Sequence, residues 1–168
     1  MLASLLEEAL DAWTNARSGV IAELENIPVD RFDEVPAPGL RSAGDLGRHI
    51  LEVALIMVGE LTRSDGDFTR ASVPEVLAEY ASPVDSLTDR DELLHELRTS
   101  LEHGKARFRA AGEIHMLQAI TRFDGLPGTR LAWMHHGIAQ EEYHRGQIAW
   151  VARLFGVTPA LTKLIRGE

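Results

Sequence analysis

Hydrophobic residues recur at helical spacing through four long segments of this chain, and no segment alternates polar and apolar residues with the period of two that a half-buried strand requires. That property restricts the fold to helices packed on helices. The first segment runs from about Ala3 to Ile27, striped by Leu5, Leu6, Ala9, Leu10, Trp13, Val20, Ile21 and Leu24. Pro28 ends it, because the residue before a proline avoids the helical region. After a loop broken by Pro36, Pro38 and Gly39, Ser42 with Asp45 three residues on reads as the N-cap of a second helix reaching about Thr62. Asp65–Thr88 is the least regular stretch, with room for a short helix at Pro74–Tyr80. Thr88 reads as the cap of a third helix, Asp89 to about Ala110, with Leu94, Leu97, Leu101 and Phe108 as its stripe. Gly112–Gly128 reads as a connector, and the fourth helix runs from about Thr129 to Phe155, closed by Gly156 and Pro159. Four long amphipathic helices in 168 residues predict an all-α, single-domain four-helix bundle over residues 1–168.

Composition narrows the function. Without cysteine there is no disulfide, no thiolate metal site and no cysteine nucleophile. A formal charge of −9 opposes a nucleic-acid partner, whose phosphates need clustered Lys and Arg. Val53–Val58, the longest strongly apolar stretch, is far short of a membrane span, and Met1–Ala12 carries acids and no base, unlike a signal peptide. The expectation is a cytoplasmic protein that engages neither nucleic acid nor membrane. Glycine-rich phosphate loops, the G-x-S-x-G elbow and H-E-x-x-H are all absent.

Histidine is then the natural carrier of chemistry, and the chain has seven. A helix advances about 100° per residue. With His144 set at zero, Trp133 falls at about −20°, Gly137 at +20°, Gln140 at −40°, Glu141 at +60°, Ile148 at +40° and Val151 at −20°, so His144 lies in mid-stripe. His136 is marginal at about −80°, and His135, at about 180°, should meet solvent. On the second helix His49 sits at the edge of the Leu46, Ile50, Val53, Met57 and Leu61 stripe; His95 and His103 lie off the third helix's stripe. Two inward histidines on two helices, with Gln140 or Glu141 one turn from His144, would suit a divalent metal with an open position, and Gly137 would leave it room. The alternative is a hydrogen-bonded polar core. A di-iron reading of Glu141–His144 and Glu92–His95 fails, because Glu92 faces away from its helix's stripe.

The run Glu141-Glu142-Tyr143-His144-Arg145-Gly146-Gln147-Ile148, with Arg153-Leu154-Phe155-Gly156-Val157-Thr158-Pro159 after it, resembles the last helix and tail of the DinB/YfiT-like superfamily. Ser42-Ala43-Gly44-Asp45-Leu46-Gly47-Arg48-His49-Ile50 resembles that superfamily's second helix. The resemblance covers nearly the whole chain. It implies a bacterial, cytosolic four-helix bundle of up-up-down-down type, a homodimer, with nickel or zinc held by three histidines. Carried over, His49 matches the first ligand and His144 the third, while Gln140 stands where the second histidine is expected. A neutral amide is a poorer ligand than imidazole for such a metal. Gln140 ligating weakly, Glu141 rotating in, and a lost metal site all remain open. The resemblance further implies a metal-dependent thiol transferase or hydrolase acting on a small thiol and an electrophile, with no general base identifiable beyond Glu141. Against it stands a non-catalytic dimeric bundle, a stress or binding protein. Gln147 is expected to make a surface or interhelical hydrogen bond and Gly146 to permit close helix packing.

Overall fold

The computed structural model describes residues 4–168; Ala3, where the sequence starts the first helix, lies outside them. Four long helices carry the fold: α1 (Leu5–Glu25), α2 (Ala43–Leu61), α4 (Arg90–Ala111) and α6 (Arg130–Leu154), with short α3 (Val73–Tyr80), α5 (Glu113–Met116) and α7 (Ala160–Arg166) between and after them. Side chains cap the long ones. Ser42 accepts from the Asp45 backbone, Thr129 from Ala132, and Asp89, not Thr88, from Asp91 and Glu92. The carboxylate satisfies two orphan amides at once, and a negative charge there favours the helix dipole.

Residue meetings fix the helix directions. Glu7 near the start of α1 pairs with Arg109 near the end of α4, and Glu25 with Arg98, so these two are antiparallel. Trp13 and Arg17 meet Glu141, and Asn26 reaches the Thr158 carbonyl, so α1 and α6 run together. His49 meets His144 and Leu61 meets Arg130, which makes α2 antiparallel to α6. Gly47 lies against Leu93 and Thr62 bonds Arg107, which makes α2 parallel to α4. The order is therefore up, down, down, up, not the up-up-down-down order that the resemblance implies. Helices α1 and α2 sit diagonally, with α4 and α6 packed between them on either side. Parallel α2 and α4 need a connection that travels back along the bundle, and the stretch through α3 supplies it.

Besides α5, a hairpin and α7 depart from the expected connector and tail. Ala119–Thr121 (β1) and Pro127–Thr129 (β2) form an antiparallel hairpin in the register Ala119↔Thr129 and Ile120↔Gly128. Of β1 only Ile120 is buried, so the strand is too short to show an alternation. The loop after α2 joins its edge, the Phe68 amide donating to Thr121 and the Thr121 amide to Gly66. Buried Glu23 of α1 accepts from the Ala160 and Leu161 amides and so holds the start of α7.

The core falls into two clusters. One surrounds Trp13, Met57, Phe108 and Met134; the other surrounds Leu24, Leu46, Leu97 and Ile148. Between them, at mid-height, lies a polar layer of Arg17, Glu141 and His144. No helix among the described residues is long and apolar enough to cross a membrane.

Two glycines give opposite expectations. A Cβ at Gly104 would lie 2.5 Å from the Trp13 ring and 2.8 Å from Val58 Cγ2, whereas one at Gly146 would meet nothing within 4 Å. The expected close packing at Gly146 is thus replaced by open surface. Urea denaturation should show Gly104→Ala destabilised by about 1–3 kcal/mol through overpacking. Gly146→Ala should be stabilised by about 0.5–1 kcal/mol, since an exposed mid-helix glycine carries excess chain entropy.

Candidate functional site

The two inward histidines meet. The His49 and His144 rings are 4.8 Å apart between centroids and almost perpendicular at 88°, edge to face across the seam of α2 and α6. His144 is buried; the His49 side chain is 30% exposed. Each ring engages an oxygen three residues further along its own helix. Nδ1 of His144 donates to Gln147 Oε1 at 2.7 Å, and Nδ1 of His49 makes a longer, 3.4 Å contact to Glu52 Oε2. Gln147 thus orients His144 instead of bridging helices. With Nδ1 bearing the proton, both Nε2 lone pairs stay uncommitted, the arrangement by which outer-shell oxygens usually orient metal-binding imidazoles. Burial pushes the His49 imidazole below its ordinary range, the charge of Arg41 and the neighbouring His144 add to this, and Glu52 opposes it.

The other expected participants go elsewhere. Glu141 is buried and turned toward α1: Oε2 accepts from Arg17 Nε at 2.8 Å, and Oε1 accepts from Arg17 Nη2 and Trp13 Nε1 at 2.6 Å each. Arg17 also donates to the Leu97 carbonyl at 2.7 Å and to Ser100 Oγ at 3.2 Å, so the pair is fully bonded. Both carboxylate oxygens are therefore committed to a bidentate ion pair that a ligand role would have to break. The place that a Gly137 side chain would take is filled by the Met57 sulfur, so the room this glycine leaves is not at the histidine pair. His136 stacks on Trp133 at 4.5 Å and is exposed, as is His135. His115, unplaced by the sequence, donates through Nε2 to the Leu61 carbonyl at 3.0 Å, where buried Arg130 also donates; together they close the C-terminus of α2.

Gln140, one turn before His144, borders a cavity of about 310 Å³ between α2 and α6. Val53, Ile56, Met57, Phe123 and Trp133 make its walls, and buried Glu60, tied to Arg63 and Arg70, is its only carboxylate. The hairpin, which the sequence did not reveal, supplies Phe123 to this wall.

The chemistry of the donor set fits a divalent ion in part. Two imidazoles with oriented Nδ1 protons and an amide one turn away are donors that nickel and zinc accept. Among the described residues, no three His, Cys, Asp or Glu side chains converge closely enough to hold a metal.

An up-down-down-up bundle with a histidine pair on the seam of its second and last long helices is the class this structure defines. The sequence matches the DinB family over residues 1–168, and the chain belongs to that family. YfiT from Bacillus subtilis, described as a probable metal-dependent hydrolase with an unusual four-helix bundle topology, has a TM-score of 0.70 at 11% identity, covering 93% of this chain and 91% of that one. A DinB-like protein from Bacillus cereus has a TM-score of 0.66 at 17% identity, covering 91% and 94%. Mycothiol-dependent maleylpyruvate isomerase has a TM-score of 0.66 at 15% identity, covering 88% of this chain but only 63% of its own length. At these identities the likeness is one of fold. No curated protein matches the sequence.

Two expectations follow. Glu141→Leu leaves Arg17 buried and unpaired and should cost about 3–5 kcal/mol in urea denaturation, while the double change Arg17→Met with Glu141→Leu should recover most of that loss. Because His49 binds a proton less readily folded than unfolded, its contribution to stability is present above the unfolded value of 6.5 and is lost as pH falls below it toward the lowered folded value. Thermal melts from pH 8 to pH 5 should therefore fall less steeply for His49→Gln than for the wild type.

Proposed function

We propose that the protein is a metal-dependent DinB-family enzyme that transfers a low-molecular-weight thiol to an apolar electrophile, with His49 and His144 holding a nickel or zinc ion and Gln140 as a weak third donor. The observation that carries this reading is the perpendicular histidine pair, each ring with its Nδ1 engaged by an oxygen one turn on. A bound divalent ion lowers the pKa of a coordinated thiol, so that thiolate, the reactive species, is available near neutral pH. The chain's own residues do the rest. Gln147 and Glu52 hold the rings in one tautomer and orientation. Val53, Ile56, Met57, Trp133 and Phe123 form an apolar wall beside the pair that receives the electrophile and sheds water around it. Glu141, fixed by Arg17 and Trp13, sets the position of the α6 turn that carries His144.

The absence of a third converging acidic or histidine ligand among the described residues favours one rival, a non-catalytic bundle with a polar seam. Titration decides between them. Chelator-treated wild type should bind nickel or zinc weakly by calorimetry, more weakly still as pH drops through about 6.5 and the imidazoles protonate. His144→Ala should abolish binding, His135→Ala should leave it, and Gln140→His should tighten it tenfold or more, the size of effect seen when a site's shell is changed. Metal-loaded wild type should consume a small thiol with an apolar electrophile faster than stripped protein or His144→Ala. Equal rates and no binding in any variant would establish the rival.

A further inference from the structure

Two cavities open along the α2–α6 seam that carries the histidine pair, one lined by Gln140 and the other by Gln147. The second, about 390 Å³, lies on the Gln147 side and is lined by Gly39, Leu40, Arg41, Leu46, Gln147, Trp150, Val151 and Leu154. Neither histidine lines it, but its walls neighbour the pair along both helices: Gln147 holds His144, and Leu46 is one turn before His49. Its volume falls within the range of small-molecule sites.

The two cavities differ in charge. On the Gln140 side the ionisable lining residues are His136 and the acid Glu60, with no Lys or Arg. On the Gln147 side the single ionisable lining residue is Arg41. Arg41 is also uncommitted. In this chain, where acids outnumber bases 26 to 17, Arg31, Arg48, Arg63, Arg70, Arg98 and Arg109 all pair with carboxylates, but Arg41 makes no ion pair or hydrogen bond with another described residue. An unpaired guanidinium at the rim of an apolar cavity is a receptor for a carboxylate, which it can engage bidentately. Trp150, 65% exposed, and Leu154, 50% exposed, supply uncovered apolar surface beside it.

The geometry points to a carboxylate-binding subsite at Arg41: the Gln147-side cavity takes a small ligand with an anionic carboxylate on an apolar or thiol-bearing body, Arg41 holding the carboxylate, Trp150 and Leu154 the body, and Gln147 presenting its amide nitrogen to a polar group. On the functional reading above, on which this inference rests for its biological meaning, the carboxylate-bearing thiol enters from the Arg41 side and the uncharged electrophile from the Gln140 side, so the two reactants reach the histidine pair from opposite directions.

The test needs neither metal nor turnover, which separates its failure from that of the functional reading. Chelator-treated full-length protein is titrated with 2-naphthylacetate and with its neutral counterpart 2-naphthylacetamide, followed by calorimetry. Wild type should bind the acid about fivefold more tightly than the amide, the scale of a partly solvated charge pair. Arg41→Gln should erase that preference while leaving amide binding unchanged, and Arg41→Lys should restore part of it. Trp150→Ala should weaken both ligands equally. An acid preference that persists in Arg41→Gln, or equal binding of acid and amide by the wild type, would overturn the subsite. Metal titration, carried out separately, is unaffected by either outcome.

Discussion

One guanidinium sets the register of three helices. Arg17 on α1 binds both oxygens of Glu141 on α6 and the Leu97 carbonyl on α4, all in the dry middle of the bundle. Apolar layers tolerate sliding, because any methyl group suits another at modest cost. A buried charge does not, since a shift of one turn strands it without a partner. The ion pair thus divides the core into an upper and a lower cluster and fixes how α1, α4 and α6 align across the division. The α6 turn it anchors is the one that presents His144, so the position of the candidate site follows from an interaction outside that site.

The helices were legible in the sequence because their apolar period is 3.6 residues and their ends carry residues such as Ser42 and Gly156, although at α4 the cap is Asp89 and not the Thr88 that the sequence suggested. The inward direction of His49 and His144 was legible for the same reason. Glu141 marks where this reading stops. Its angle of about 60° from His144 correctly put it inside, but two different helices flank that interior. His144 looks to α2 and Glu141 to α1, and only the order of helices around the bundle tells the two sectors apart. That order depends on which long connection crosses which end, and no local pattern encodes it. The hairpin and α7 escaped for another reason: segments of three to seven residues with one buried position, or none, carry no period to detect.

Helical direction alone did not tell what the two glycines face. Gly137 and Gly146 both lie on α6 near the histidine, and a glycine in a helix costs stability unless something needs its missing side chain. At Gly137 the need is Met57, whose sulfur occupies the space. At Gly146 the structure gives no packing reason. The departure at Gln140 has a clearer physical consequence. An amide there is a weaker donor than imidazole, so a divalent ion on this seam would be held less tightly, with the same number of positions left open. Along the seam there is apolar space on the Gln140 side and a cationic rim at Arg41 on the other. Under the proposed transfer, access from two sides would let nucleophile and electrophile occupy the site together and gain from being held in place. If the proposed reading holds, the exposed Trp150 and the unpaired Arg41 would leave the Gln147 side open to a ligand, beside a His49 that is itself only half-buried.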